Sequence, residues 1–290
     1  MSAASVCVVG SLNVDRYIGL FRLPEPGETV LGAGMGTYPG GKGLNQAVAA
    51  ARCGAATRMG GAIGDDADGQ LLRATLHEVH VDPTHIATDS SAPSGIAQIL
   101  SLDGGENSII VVPGANAQLT PQQAAAAVAD AGVVLVQLEI SIEAASAALA
   151  AGRAAGAVTV LNAAPAHDDA LRMLDDVDIL IVNDSELAAL GGINALRSRA
   201  SVVHTRGGDG LTVYPQDAEP FEVAAFAIDV VDTTGAGDAF CGGFVAALAR
   251  GESLESAARH GAAAGAIVAS HRGAQTPELT VSAVDALVRA

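Results

Sequence analysis

The sequence predicts an α/β fold: a mostly parallel sheet with helices on both faces, plus a small β-sheet appendage. Two observations lead to this prediction. From about residue 121 onward, short and continuously apolar segments alternate with helical ones, as in parallel sheets buried on both faces. Two stretches, drawn from about 16–39 and 94–113, are instead punctuated by Gly and Pro or shaped like a hairpin. The 290 residues suit one domain, 1–290, that includes both parts.

The first predicted element is a buried strand at residues 6–10, an apolar run that ends in a polar segment. The glycine-rich segment 40–43 then opens an alanine-rich helix over residues 44–53. Two apolar runs, 95–102 and 108–112, flank turn-forming residues and predict a hairpin. This hairpin and the earlier Gly/Pro-punctuated stretch together form the appendage.

The later elements alternate regularly along the chain. The predicted helices cover residues 121–131, 142–155, about 185–190, 236–250, 254–270 and 281–289. The predicted strands of the parallel sheet cover residues 133–138, 158–161, 179–182 and 202–205, and residues 211–214 and 221–223 predict an antiparallel excursion.

Composition narrows the class of protein. Half of the residues are hydrophobic, so the chain can bury a sizeable core. The net charge of −17 disfavours a nucleic-acid binder, which would need a basic face. The three cysteines lie far apart in apolar or glycine-rich runs, which predicts buried thiols of a cytoplasmic protein. No apolar run at the amino terminus is long enough to predict a signal peptide or membrane span.

Polar residues follow the predicted strands where a parallel sheet binds its ligands, beyond the carboxyl ends. Each one singly can be explained as an ordinary strand end, but together they predict a site. These residues are Asn13, Asp15, Glu139, Asn162, Asn183 and Thr205.

The segment 235–238, Gly-Ala-Gly-Asp, directly precedes an apolar helix. Its glycines allow close backbone approach, and the helix N-terminus attracts negative charge, so a transferring phosphoryl group could be stabilised there. Asp238 could then accept the proton of an attacking hydroxyl. An Asp that merely caps a helix is the alternative for the tetrapeptide, and the preceding Asp232-Thr-Thr favours the catalytic interpretation.

Three further segments carry weaker signals. Lys42, the only lysine of the chain, lies among three glycines, which favours a functional point charge over chance. Asn183 and Glu186 could meet a phosphate and a hydrated Mg²⁺, but their spacing also fits a helix capping box. Residues 205–210 could line a nucleotide or form a plain turn.

Residues 40–43 and 232–238 resemble the two signatures of the PfkB carbohydrate kinases, and within that family the chain is most similar to the ribokinases. The likeness covers nearly the whole chain. It extends to residues 10–15, 26–29, 41–46, 113–116, 137–139, 162–165 and 273–275. The resemblance implies a ribokinase-like fold in which the appendage is a lid.

The resemblance also implies roles at the reacting end. Asp238 would deprotonate the primary 5-hydroxyl of a sugar for attack on the γ-phosphate of ATP. The N–H groups of Gly235, Ala236 and Gly237 would form the anion hole. Sugar hydroxyls would be bound by Asn13, Asp15, Gly41, Lys42, Gly43, Asn45 and Glu139, together with Asp238.

On the nucleotide side, the resemblance implies that Asn183 contacts ATP phosphates and that Glu186 orders Mg²⁺ through water. The nucleotide would be lined by Thr205, Arg206, Gly207, Gly208, Asp209, Gly210, Gly237 and Ala262. A monovalent cation, K⁺, would activate the enzyme from a site beside the anion hole. Its ligands would be the Asp232 carboxylate and the backbone carbonyls of Thr234, Val268, His271 and Gly273, while Pro277 replaces a further ligand position and offers no hydroxyl.

The resulting hypothesis is ATP-dependent phosphorylation of D-ribose at O5 by a homodimer that pairs through its lids. Other kinases of the family, acting on fructose, a sugar acid or adenosine, remain alternatives. The scarcity of aromatic side chains, 3% of the chain, disfavours a nucleoside. A non-catalytic sugar sensor on the same fold is the alternative of another class.

Overall fold

The computed structural model describes residues 4–102 and 107–290. Two sheets, one of nine strands and one of four, organise this part of the chain. The strands within it are β1 (Val6–Val9), β2 (Asn13–Leu20), β3 (Ala33–Gly40), β4 (Thr57–Gly64), β5 (Asp82–Asp89), β6 (Gly95–Leu102), β7 (Asn107–Val112), β8 (Val133–Gln137), β9 (Val158–Asn162), β10 (Ile179–Asn183), β11 (Ser201–Thr205), β12 (Leu211–Tyr214) and β13 (Phe221–Val223).

The helices surround the larger sheet. Those described are α1 (Lys42–Arg52), α2 (Ala67–Glu78), α3 (Pro121–Ala127), α4 (Ile142–Ala154), α5 (Ala170–Met173), α6 (Asp184–Ala189), α7 (Ile193–Leu196), α8 (Ala236–Ala249), α9 (Leu254–Ala269) and α10 (Val281–Arg289). A short 3-10 helix, Gly114–Gln118, follows β7. Of the helices in residues 4–102 and 107–290, none is long and apolar enough to cross a membrane.

The larger sheet has the order β13-β12-β11-β10-β9-β8-β1-β4-β5. Strands β5 through β11 along this order run parallel, and β12 and β13 are antiparallel. The predicted mostly parallel sheet, with its antiparallel excursion at 211–214 and 221–223, is therefore confirmed.

Helices cover both faces of the larger sheet, as predicted. Successive residues of a strand point to opposite faces, and β1 shows this directly. Val6 and Val8 belong to a core cluster with Leu44 of α1 and Phe244 of α8. Cys7 and Val9, on the other face, belong to a second cluster with residues of α3 and α4. All four residues of β1 are buried, which explains their unbroken apolar run.

The smaller sheet has the order β3-β2-β6-β7. Strand β2 pairs parallel with β6, whereas the β2–β3 and β6–β7 pairs are antiparallel. The predicted hairpin strands pair from Ile96 with Val112 to Ser101 with Asn107. The predicted turn at 103–107 lies outside the described residues at positions 103–106.

The smaller sheet also begins earlier than its Gly/Pro punctuation indicated. Asn13 and Asp15, expected in the polar segment after the first strand, belong to β2, where Asn13 pairs with Gly40 and with Gly95. These two residues therefore lie at the junction of the two sheets, where the chain passes from one to the other.

Sequence patterns gave no element between residues 54 and 93, yet the segment contains β4, α2 and β5. Glycine obscures β4, because close packing there leaves no room for side chains. A Cβ at Gly60 would lie 2.6 Å from Ala127 Cβ, and one at Gly61 would lie 2.4 Å from Leu12 Cδ1. Strand β5 is a polar edge strand, so it lacks the apolar run that marks the central strands.

Helix α3 ends at Ala127, four residues before the predicted end at residue 131.

Candidate active site

Chain order around β1 creates a crevice at the carboxyl edge of the larger sheet. From β1 the sheet continues to β4 on one side and to β8 on the other. Ligands of open α/β sheets bind where the strand order reverses in this way. The predicted site residues associated with β1, β8, β10 and β11 lie at or after the carboxyl ends of these strands, and helix α8 begins at the same edge. Side chains of α1 connect α8 with the end of β9: Asn45 and Gln46 donate to Asp238, and Gln46 also donates to Asn162.

The N-terminus of α8 requires glycine. Gly235 precedes the helix in the left-handed conformation, with φ of 75°. A Cβ there would lie 2.5 Å from Ala274 Cα. The N–H of Ala236 donates to Thr233 O at 3.2 Å, while Gly237 is exposed. A helix leaves its first N–H groups without intrahelical partners, so this end can receive an anion.

Asp238 lies in the first turn of α8, and each of its carboxylate oxygens accepts a hydrogen bond from an α1 side chain. Asn45 Nδ2 donates to Oδ2 at 3.1 Å, and Gln46 Nε2 donates to Oδ1 at 2.9 Å. Burial raises the pKa of Asp238, although Lys42 and the two amide donors act in the opposite direction. The carboxylate is thus held in place and suited to accept a proton.

Lys42 and Glu139 lie in contact within the same crevice. The backbone N–H of Lys42 donates to Glu139 Oε2 at 3.2 Å, and Ser11 Oγ donates to the same oxygen at 2.6 Å. Burial alone would lower the pKa of Lys42, but the carboxylates of Asp238, Glu139 and Glu186 outweigh it and raise the pKa. The lysine is therefore a stable cation among carboxylates.

Asn13 is held by a residue of the 3-10 helix. Asn116 accepts from the Leu12 N–H at 2.9 Å and donates through Nδ2 to Leu12 O at 3.1 Å and to Asn13 Oδ1 at 2.8 Å. Both asparagines are buried. Because Asn13 Oδ1 is occupied, its Nδ2 is the group that can reach a ligand.

Asp15 is the second polar residue at the start of β2. Burial, followed by the negative charges of Glu139 and Asp238, raises its pKa from 3.8 to about 7. Its carboxylate lies over Gly40, where a Cβ would be 2.2 Å from Oδ2. We call Asn13, Asp15, Lys42, Asn45 and Glu139, which are predicted from the sequence to contact a sugar, the sugar side of the site. Gly41 and Gly43 flank Lys42.

Asn183 and Glu186 form a complete capping box at the start of α6. The Asn183 N–H donates to Glu186 Oε2 at 2.9 Å, and the Glu186 N–H donates to Asn183 Oδ1 at 2.9 Å. The capping alternative therefore holds, and it does not exclude a ligand because Asn183 is exposed. Burial raises the pKa of Glu186 despite the Asn183 N–H and the nearby Lys42.

Residues 205–210 form a tight turn after β11. Gly207–Asp209 is one turn of 3-10 helix, and all three residues are exposed. Arg206 donates to Thr212 Oγ1 at 2.6 Å, so its side chain stabilises the β11–β12 connection. Ala262 is half-buried on α9. We call Asn183, Glu186, residues 205–210 and Ala262, which are predicted from the sequence to contact ATP or its metal ion, the nucleotide side.

Asp232 joins the loop before α8 to the loop after α9. Its carboxylate accepts from the Thr234 N–H and the Gly273 N–H, both at 2.9 Å. Burial would raise the pKa of Asp232, but these hydrogen bonds and Arg272 outweigh it and lower the pKa. The Val268 carbonyl accepts the His271 N–H at 3.0 Å. An ionised carboxylate therefore lies between the loop before α8 and the end of α9 with its following loop, the segments whose carbonyls were predicted as cation ligands.

Several polar residues of the site had no role in the sequence analysis. Gln46 and Asn116 contact Asp238 and Asn13, as described above. Gln137 donates to Gln46 Oε1 at 2.6 Å, and Gln275 donates to Asn45 Oδ1 at 2.9 Å. Their segments were noted for resemblance alone, because nothing in a sequence shows which distant amides will meet.

Comparisons with known proteins agree with this geometry. Residues 3–281 match the model of the pfkB family carbohydrate kinases. The chain is 34% identical over 288 residues to a ribokinase from Haemophilus influenzae, covering 94% of each protein. It is 34% identical over 292 residues to a ribokinase from Bacillus subtilis, covering 98% of this chain and 99% of the relative. The structure of an Arabidopsis thaliana ribokinase complexed with ribose and ATP is similar, with a TM-score of 0.89, 30% identity and 99% of both chains covered.

Proposed function

The chain belongs to the pfkB family of carbohydrate kinases, and we propose that it transfers the γ-phosphoryl group of ATP to O5 of D-ribose. The observation that carries this proposal is the Asp238 carboxylate, held at the N-terminus of α8 within the same crevice as the sugar side. Ribokinases from several organisms, including one solved with ribose and ATP, support ribose as the acceptor.

In this proposal, Asp238 accepts the proton of the sugar 5-hydroxyl as the oxygen attacks phosphorus. The P–O bond to the β-phosphate breaks and ADP leaves. Gly235 and Gly237 bring backbone N–H groups close to the transferring phosphoryl group, and Ala236 completes the segment. Positioning and charge stabilisation, rather than covalent chemistry, account for catalysis of this kind. Lys42 adds a positive charge beside the reacting groups.

ATP requires a divalent cation, and Glu186 is the residue proposed to hold Mg²⁺ through water. A buried carboxylate near Lys42 fits this role, because Mg²⁺ keeps several of its waters in proteins. When bound, the ion would neutralise charge on the phosphates. Asn183 would contact the phosphates from the exposed start of α6.

A monovalent cation site is proposed at Asp232. The depressed pKa of this carboxylate keeps it negative, and the Gly273 N–H ties it to the second loop that would supply carbonyls. K⁺ bound there would help to hold the loop before α8. We expect turnover to fall when K⁺ is replaced by tetramethylammonium; equal rates in the two buffers would remove Asp232 from this role.

The direct test is ATP turnover across a panel of D-ribose, D-fructose, a sugar acid and adenosine, each with Mg²⁺ and K⁺. We expect kcat/KM to be highest for D-ribose. A higher kcat/KM for fructose, the acid or adenosine would contradict ribose as the substrate but would leave the assignment as a kinase unchanged. Sugar binding without any ADP formation would favour the sensor, to which the intact Asp238 and its hydrogen bonds give no support.

We also propose a homodimer that pairs through the smaller sheet. Its edge strands and the connection between β2 and β3 expose apolar side chains, among them Leu31 at 99%, Phe21 at 85% and Ile109 at 61%. Such a patch favours an interface, because exposed apolar patches of this kind mark contact sites. The proposed lid would then join two subunits.

Light scattering after size-exclusion chromatography tests this interface. We expect a dimer for the wild type and a monomer for Ile109→Glu, whose charge would lie within the interface. Leu71→Glu, on the exposed face of α2, is the matched control and should stay dimeric. A monomeric wild type would contradict the dimer.

We also propose that the protein acts in the reducing cytoplasm. The buried, unpaired thiols of Cys7, Cys53 and Cys241 support this location.

A further inference from the structure

A row of buried amides leads from the core to Asp238. Gln137 Nε2 donates to Gln46 Oε1 at 2.6 Å. Gln46 Nε2 donates in turn to Asp238 Oδ1 at 2.9 Å and to Asn162 Oδ1 at 3.1 Å. The side chains of Gln46 and Gln137 are both 0% exposed, so they touch neither solvent nor ligand directly.

The ionised carboxylate fixes the direction of this row. Asp238 can only accept hydrogen bonds when it is charged, so Gln46 must turn its NH₂ group toward it. Gln46 Oε1 then needs a donor, and the NH₂ group of Gln137 supplies it. The remaining oxygen, Gln137 Oε1, has no donor among the described protein atoms.

Gly10 makes room for this arrangement. A Cβ at Gly10 would lie 1.8 Å from Gln137 Oε1. A buried acceptor without a partner is unfavourable, so the unpartnered Gln137 Oε1 distinguishes this contact from an ordinary core contact. The unpartnered oxygen is explained if the residues around Gln46 serve to fix the orientation of its amide.

We propose that Gln46 is a positioning residue of the phosphoryl transfer. It holds one oxygen of the Asp238 carboxylate from the buried side, and Gln137 fixes the direction in which Gln46 donates. This inference rests on the proposed function, because it takes Asp238 as the base. Asn45 holds the other oxygen but lies at the sugar side, whereas Gln46 is fully enclosed. Loss of the Gln46 amide therefore alters the pKa and the orientation of the Asp238 carboxylate without removing a contact to the sugar.

The charged form of Asp238 is the one that both amides stabilise, so removing a donor raises the pKa of Asp238 further. Gln46→Met keeps an unbranched side chain of similar length and removes the donor. We expect the acidic limb of the kcat profile to move upward by about one pH unit or more, since a hydrogen bond to a charged group has that effect. The KM for the sugar should change by less than about threefold, roughly 0.7 kcal/mol.

The control is Gln122→Met, on the exposed face of α3, which should leave the profile unchanged. Gln137→Met keeps Gln46 but releases its orientation, so it should move the limb in the same direction by a smaller amount. This second variant also serves if Gln46→Met folds poorly. An unmoved limb in both variants, with kcat at neutral pH within about twofold of the wild type, would overturn the proposal.

A titration that needs no substrate separates this inference from the proposed function. The Asp238 carboxyl signal in ¹³C-aspartate-labelled protein can be assigned by its loss in Asp238→Asn. We expect its pKa to be higher in Gln46→Met than in the wild type, even if ribose were not the substrate. Equal values would overturn the role of Gln46, whereas failure of ribose turnover alone would overturn only the substrate.

Discussion

The sugar side and the nucleotide side of the site differ in how their residues are held. On the sugar side, amide side chains hold both asparagines, since Asn116 holds Asn13 and Gln275 holds Asn45. Asn45 and Gln46 in turn hold the neighbouring Asp238. On the nucleotide side, Asn183 and residues 207–209 are exposed and are held by local capping and a tight turn. The contrast is what we expect if the sugar side is a preorganised acceptor site and the nucleotide side is an open surface for a larger co-substrate.

This difference also predicts where mutations act. Substitutions of the residues that hold the sugar side should alter the rate of phosphoryl transfer or the affinity for the sugar, because these residues connect distant segments of the chain. Changes on the nucleotide side should act locally, through backbone geometry or direct contact with ATP. The four predictions below test this contrast in order of decreasing expected effect.

The largest effect is expected for Asp238→Asn, which keeps the shape of the side chain and removes the base. We expect kcat to fall by about 10²–10⁴-fold, the usual contribution of a general base. Ribose affinity, measured by calorimetry, should change much less than kcat, because the new amide oxygen can still accept one of the two hydrogen bonds that hold this side chain. Near-normal turnover in this variant would show that another group takes the proton.

Asn116→Asp tests whether the sugar side depends on orientation. Its second oxygen would face Leu12 O and Asn13 Oδ1, so the Asn13 amide must turn and present its oxygen to the sugar. We expect the KM for D-ribose to rise about tenfold or more, as for a lost buried hydrogen bond, with the KM for ATP unchanged.

Asn194→Asp, an exposed change on α7, provides the control for Asn116→Asp. It should leave both KM values as in the wild type. A parallel rise in the KM for ATP and for ribose in Asn116→Asp would show a general loss of structure instead.

Two glycines of one turn test the nucleotide side. A Cβ at Gly208 meets nothing within 4 Å, so Gly208→Ala should keep the wild-type melting temperature. If ATP lies against Gly208, the same substitution should raise the KM for ATP by about three- to tenfold. At Gly210, φ is 79° and a Cβ would lie 2.3 Å from Val223 O, so Gly210→Ala should destabilise the fold by about 1 kcal/mol or more. An unchanged KM for ATP in Gly208→Ala would exclude Gly208 from the nucleotide site.

The last of the four predictions concerns stability rather than activity: the pH dependence of stability at Asp15. Its pKa of about 7 in the folded protein exceeds the usual 3.8, so the folded state keeps a proton that the unfolded chain loses. The stability from this proton is complete below about pH 4 and is lost as pH rises through about 7. Thermal unfolding should therefore show that wild type, relative to Asp15→Asn, loses stability between about pH 4 and pH 7. A constant difference would contradict the raised pKa.

Sequence patterns predicted the parallel sheet, the hairpin strands and the helix that begins at Ala236, because each has a local apolar period or a glycine signal. They did not predict β4, whose glycines accommodate Ala127 and Leu12, nor the polar edge strand β5. Tertiary packing, rather than local preference, determines both elements.

For the site, the sequence pointed to Lys42 and Asp238, because glycines and a helix start give such residues a local setting. It gave no role to Gln46 or Asn116. The partners of these amides lie 192 and 103 residues away along the chain. Contacts at such separations follow from the topology of the two sheets, which no local pattern records.

The position of the phosphoryl group in the product tests the central claim most directly. Wild-type enzyme would be incubated with ATP, Mg²⁺, K⁺ and D-ribose, and the product examined by proton-coupled ³¹P NMR. A phosphate at O5 couples to two methylene protons and gives a triplet, and 5-deoxy-D-ribose should yield no sugar phosphate. A doublet from a secondary or anomeric position, or turnover of 5-deoxy-D-ribose, would contradict the account.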